Sequence, residues 1–90
     1  MPVKWTVRAS ENLDAILKHI HKDNPRAARD FLAESLKKIK HLEEFPLMGR
    51  AGIVPQTREF VLHKNYIVHY RIQDDCVEVL RVLHARRKFP

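Results

Sequence analysis

The chain has 90 residues and a mass of 10.7 kDa, room for a single domain spanning 1–90 around one hydrophobic core. With 44% hydrophobic and 31% charged residues it is not composed like a disordered chain, and no apolar run approaches the roughly 18 residues that span a bilayer. Lys plus Arg is 17 and Asp plus Glu is 11, so the formal charge is +6 and the pI about 9.8. That balance favours an anionic partner: nucleic acid, acidic lipid or an acidic protein. A single cysteine, Cys76, excludes an internal disulfide and a Cys-rich zinc site. The N-terminus, Met-Pro-Val-Lys-Trp-Thr-Val-Arg, has no apolar signal core, so the cytoplasm is the expected location.

The first element reads as a strand. Val3, Trp5 and Val7 alternate with Lys4, Thr6 and Arg8, a period of two. Ser10 is the expected N-cap of the helix that follows, with Glu11 and Asp14 in its first turn, where the dipole favours negative charge. Leu13, Ile16, Leu17 and Ile20 then make one apolar stripe. Asp23-Asn24-Pro25 breaks the helix, and Asn24 and Pro25 suit the N-cap and first position of the next. That second helix is expected over Pro25–Glu44, with Ala28, Phe31, Leu32, Ser35, Leu36, Ile39 and Leu42 on one face. So short a connection predicts a helix hairpin.

Phe45 precedes Pro46 and is pushed out of helical space, which ends the second helix. A loop of about a dozen residues, Pro46 to Thr57, holds both glycines. The last third is β. A strand over Arg58–His63 turns at Lys64-Asn65 into a strand over Tyr66–Gln73, with Tyr66, Val68, Tyr70 and Ile72 on one face. Asp74-Asp75 turns the chain into a third strand, Cys76–Ala85, apolar on both sides as in a sheet interior. The expected class is α+β, in the order β-α-α-β-β-β. The helix hairpin should pack on one face of a four-stranded, mainly antiparallel sheet and leave the other face open.

The open face and the C-terminal end gather the candidate binding residues: Arg58, Arg71, Arg81, His84, Arg86, Arg87 and Lys88. Arginine forks match phosphate or carboxylate geometry. His84 could exchange protons near neutral pH, and together with the arginines, Arg86 among them, it could bind RNA and stabilise negative charge during phosphodiester cleavage. A solvated basic sheet edge that discourages strand pairing explains the same residues without a ligand. Six histidines invite a metal, but His19 and His21 diverge on a helix and no H-x-x-x-H spacing occurs, so neither a metal nor a cofactor is expected. Cys76, Trp5 and the two tyrosines read as packing residues.

Several stretches carry a resemblance when taken in order. They are Asn12-Leu13-Asp14-Ala15-Ile16, Asn24-Pro25-Arg26-Ala27-Ala28, and Leu42-Glu43-Glu44-Phe45-Pro46-Leu47-Met48-Gly49-Arg50. Thr57-Arg58-Glu59-Phe60-Val61-Leu62 and Asn65-Tyr66-Ile67-Val68-His69-Tyr70-Arg71 follow. The most specific is Val79-Leu80-Arg81-Val82-Leu83-His84-Ala85-Arg86-Arg87, ending in Phe89-Pro90. Over nearly its whole length the chain resembles the RelE/ParE superfamily of bacterial type II toxins, and more closely its ParE-like branch.

The resemblance implies a growth-inhibiting toxin of the plasmid-stabilization kind. A cognate antitoxin would hold it inactive through an acidic wrapping segment, and operator DNA would be reached only through that antitoxin. The ParE-like branch implies DNA gyrase as the target. The RelE-like alternative is ribosome-dependent mRNA cleavage. For that chemistry the strand positions of a lysine pair read Glu59-Phe60-Val61, Arg86 stands where a site arginine belongs, and no tyrosine follows it. A nontoxic basic binding module is the third reading.

Overall fold

The computed structural model describes residues 1–63 and 65–87. Its elements are β1 (Val3–Trp5), α1 (Val7–Asp23), α2 (Pro25–Glu44), β2 (Arg50–Ala51), β3 (Arg58–His63), β4 (Tyr66–Gln73) and β5 (Cys76–His84), followed by a 3-10 turn over Ala85–Arg87. The five strands form one mixed sheet in the order β1-β5-β4-β3-β2. β1 runs parallel to β5 and the remaining pairs are antiparallel. The fold class is therefore the expected one, with a fifth strand, β2, drawn from the loop before β3. β5 also stops one residue earlier than expected, because Ala85 turns into the 3-10 segment.

The first helix begins earlier than its sequence suggests. Thr6, not Ser10, is the N-cap: its Oγ1 accepts from the Ala9 N–H at 3.1 Å and donates to the Val79 carbonyl at 2.9 Å. One hydroxyl thus caps the helix and ties it to β5, which a serine one turn later could not do. Ser10 lies inside the helix, its N–H donating to the Thr6 carbonyl. Glu11 and Asp14 accordingly fall outside the first turn. Asp14 instead pairs with Lys18, 3.0 Å away and four residues on. Val7 continued the strand's alternation only by coincidence; it is helical and 76% exposed.

The hairpin forms as its sequence predicts. Asn24 N–H closes α1 on the Ile20 carbonyl, and Asn24 Oδ1 accepts from the Ala27 N–H at 3.1 Å to cap α2, with Pro25 first in the helix. The face of α2 that enters the core carries Phe31, Ser35, Ile39 and Leu42. Leu36, expected among them, is 52% exposed, and Leu32 is half-buried. The buried residues step by four, four and three, and that line passes beside Leu32 and Leu36. Phe60, Leu62, Val68, Tyr70, Val77, Val79 and Val82 meet the helices from the sheet. Asn12 Oδ1 accepts the Val82 N–H at 3.1 Å, a second tie from α1 to β5.

Turn chemistry sets the strand registers. Asp74 and Asp75 both have positive φ, 53° and 58°, the left-handed pair that a two-residue hairpin needs, and Gln73 faces Cys76 across it. Lys64 of the preceding turn lies outside the described residues. A register shift at His69/Tyr70 leaves Leu80 as the extra residue of β5, and a second shift falls between Val61 and His63.

The loop after α2 is clamped from beneath. The buried Tyr70 hydroxyl donates to the Pro46 carbonyl at 2.7 Å and accepts from the Gly49 N–H at 3.0 Å. The Arg58 guanidinium donates to the Gly49 carbonyl at 2.8 Å and to the Leu47 carbonyl at 3.3 Å. Burial pushes the Tyr70 phenol above its ordinary pKa of 10.0, against the opposing pull of the Gly49 bond and Arg58. A raised folded-state pKa means that this stabilisation is complete below pH 10 and is lost as pH rises through the folded value. Tyr70→Phe should cost about 1–3 kcal/mol, because Pro46 and Gly49 lose a buried partner. It should also remove the corresponding part of the stability loss above pH 10. Urea unfolding of both proteins from pH 7 upward measures both effects.

Candidate functional site

The sheet face away from the helices carries a row of charge. Arg50, Glu59, His69 and Arg81 occupy register-paired positions across β2, β3, β4 and β5. Glu59 is 5% exposed, and two side chains face its carboxyl: Arg50 Nη2 at 2.9 Å and His69 Nε2 at 3.4 Å. Burying a carboxylate costs free energy unless such partners compensate it. Arg81, opposite His69, has a buried Nε without a hydrogen-bond partner among the described residues. Further along the same face Arg71 Nε lies 2.6 Å from Glu78 Oε1. Strand alternation puts these residues on one face, but the Arg50–Glu59–His69 group spans three strands and is invisible in linear sequence.

The expected basic cluster is dispersed. Arg58 faces the loop and spends its guanidinium on backbone carbonyls. Arg71 is paired with Glu78, and Arg81 sits in the charged row. His84 points to the helix side, where its ring meets Tyr66 edge-on at 5.3 Å beside a polar cavity of about 580 Å³. His84 Nδ1 accepts the Arg86 N–H at 3.2 Å. The neutral tautomer compatible with that bond carries its proton on Nε2 and offers no free lone pair to abstract another. Arg86 is exposed and Arg87 ends the 3-10 turn; Lys88 lies outside the described residues. No group of His, Cys, Asp and Glu among the described residues is arranged to hold a metal.

A second surface lies between the helices. Leu17, Ala28 and Leu32 floor a groove of about 520 Å³, and Lys18, His21, Lys22 and Arg29 rim it. This accounts for the partial exposure of Leu32: its side chain belongs to a groove rather than to the core. The signal was present in the sequence as cations flanking Leu17 and Ala28 on both helices, which reads equally well as a solvated rim. Among the described residues no helix is long and apolar enough to cross a membrane.

Known proteins share this architecture and sequence. The family model described as ParE toxin of type II toxin-antitoxin system, parDE, matches residues 3–89. Toxin RelE2 of Caulobacter vibrioides is 33% identical over 85 residues, 94% of this chain and 96% of that protein. Y4kP of Sinorhizobium fredii is 43% identical over 89 residues, covering 98% and 92%. Among solved structures, a chain of the chromosomal ParDE toxin–antitoxin system from P. aeruginosa superposes with a TM-score of 0.83 at 26% identity, covering 93% of this chain and 95% of that one. The RelBE2 toxin–antitoxin complex from Mycobacterium tuberculosis gives 0.59 at 26% identity, with 92% and 95% covered. With the family matched over nearly its whole length, the chain belongs to the ParE toxins of type II toxin–antitoxin systems, within the RelE/ParE superfamily.

Proposed function

We propose that this toxin acts in the cytoplasm on a protein target, DNA gyrase, and that its antitoxin lays an acidic segment along the α1–α2 groove. The observation that carries the choice of target is the occupancy of the cations. Arg50 and Arg71 are paired with carboxylates, Arg58 is hydrogen-bonded to backbone carbonyls, and the Tyr70 hydroxyl is buried in the loop clamp. A ribonuclease needs free donors on the developing phosphorane charge and a poised acid or base. His84 is a poor base because its Nδ1 already accepts the Arg86 N–H, which leaves the exposed Arg86 guanidinium as a donor without a base beside it. The groove supports the antitoxin assignment by its chemistry. An amphipathic acidic segment would cover the apolar floor and pair with Lys22 and Arg29.

A second reading has its own observation. The Glu59–His69 pair beside Arg81 is an acid–base and anion-binding combination on the open sheet face, and it would suit mRNA cleavage. Induction of the toxin in bacteria lacking the antitoxin separates the two. Filamentation with a DNA-damage response and intact transcripts is the expected result. Ribosome-dependent cuts inside codons, lost in His69→Ala, would instead establish the ribonuclease.

A further inference from the structure

Most of the large apolar side chains left exposed fall in one stretch of chain. Phe45 is 55% exposed, Leu47 65% and Met48 45%, and Ile53, Val54 and Val61 follow. Phe45 to Met48, with His41 and Glu44 of α2, surround a shallow apolar concavity of about 630 Å³ at the end of that helix. Monomers rarely leave such a patch without a partner.

The loop that displays it is held rigidly. Four hydrogen bonds from Tyr70 and Arg58 fix the backbone of Pro46, Leu47 and Gly49 from below. A loop fastened only for stability would turn its apolar side chains inward. This one spends a buried hydroxyl and a guanidinium to hold Leu47 and Met48 outward. Backbone held in place before contact loses little entropy on binding, which favours its use in an interface.

Charge narrows the occupant. In a chain of net charge +6 the concavity is lined by no lysine or arginine, and its one full charge is Glu44. An acidic antitoxin segment would meet a like charge at Glu44, and the nearest guanidinium, Arg58, is engaged with the Leu47 and Gly49 carbonyls beneath the loop. We infer that the Phe45–Met48 loop is the surface with which the toxin grips its protein target, and that it receives an apolar segment of that target flanked by a basic residue. This rests on the reading of a protein target.

Leu47→Asp and Glu44→Lys test it by colony survival after induction, with circular dichroism and sedimentation on each purified protein. Both positions are exposed, so both variants should stay folded. The expected result is an increase in survivors of about tenfold or more for Leu47→Asp and a smaller one for Glu44→Lys. Were Leu47→Asp to unfold, Leu47→Ser would be scored in its place. A folded Leu47 variant as inhibitory as the wild type would overturn the inference. So would a wild-type dimer that Leu47→Asp dissociates, since the patch would then be a self-interface. Inhibition by the wild type through mRNA cleavage would sink the gyrase reading whatever Leu47→Asp did. Inhibition without mRNA cleavage that survives Leu47→Asp would sink the docking surface alone.

Discussion

Replacing Gly49 by alanine should destabilise the protein by about 3 kcal/mol. A Cβ at this position would lie 2.5 Å from the Tyr70 hydroxyl, 2.7 Å from the Glu59 carbonyl and 2.8 Å from Tyr70 Cε1. Two of these neighbours belong to a fully buried ring and the third is strand backbone, so none can step aside as the end of a surface lysine would. Relief would require breaking the Gly49–Tyr70 bond or parting β2 from β3. The glycine is needed here for close approach, not for its backbone angles, since no glycine in the described chain has positive φ. Urea unfolding should show the loss as a lower midpoint with an unchanged slope.

Leu42→Ala should cost about 2–5 kcal/mol, a large part of the 5–15 kcal/mol typical of a whole domain. Leu42 is 0% exposed near the end of α2 and belongs to the central apolar cluster. Its loss opens a cavity among side chains that strands and helices hold in place. Leu36→Ala, six residues earlier on the same helix and half-exposed, should change stability by less than about 1 kcal/mol. Thermal melting of the two variants side by side checks which line of α2 faces the sheet. Equal effects would mean that the helix is rotated from the orientation described here.

Local chemistry made much of the fold legible. Asn24-Pro25 marks a helix boundary because the side-chain oxygen and the missing N–H act at that position whatever surrounds them. The strands of the last third show their period of two, and Asp74-Asp75 is a turn in itself. What escaped depends on distant partners. Thr6 outcompetes Ser10 as a cap because Val79, more than seventy residues away, takes its hydrogen. β2 exists because Arg50 and Ala51 lie beside Glu59 and Arg58. Leu36 looks as apolar as Leu42, and only the angle at which α2 meets the sheet separates them.

The functional surface was less legible for the same reason. Seven basic residues close in sequence or on neighbouring strands suggested one patch. The structure divides the described ones between a loop clamp, an ion pair, the charged row and the sheet end. The assembly of Arg50, Glu59 and His69 requires three strands to be in register, which no spacing announces. Conversely, Leu47 and Met48 read as ordinary loop residues, because nothing in their order reveals that Tyr70 and Arg58 hold them outward.

The parallel pairing of β1 with β5 makes completion of the fold wait for the synthesis of β5. Val3, Lys4 and Trp5 are made first and pair with Val77, Glu78 and Val79, which are made nearly last. The Thr6 hydroxyl that starts α1 finds its acceptor in the same late segment. A nascent chain that has not yet released β5 can form the helix hairpin and the β3–β4 pair, but it lacks the strand that joins β1 and α1 to them. Contacts this distant in sequence are slow to form, because the chain between them must close first. A chain cut off before β5 therefore loses every one of these ties between its first strand, its first helix and the sheet, and it should not hold this fold.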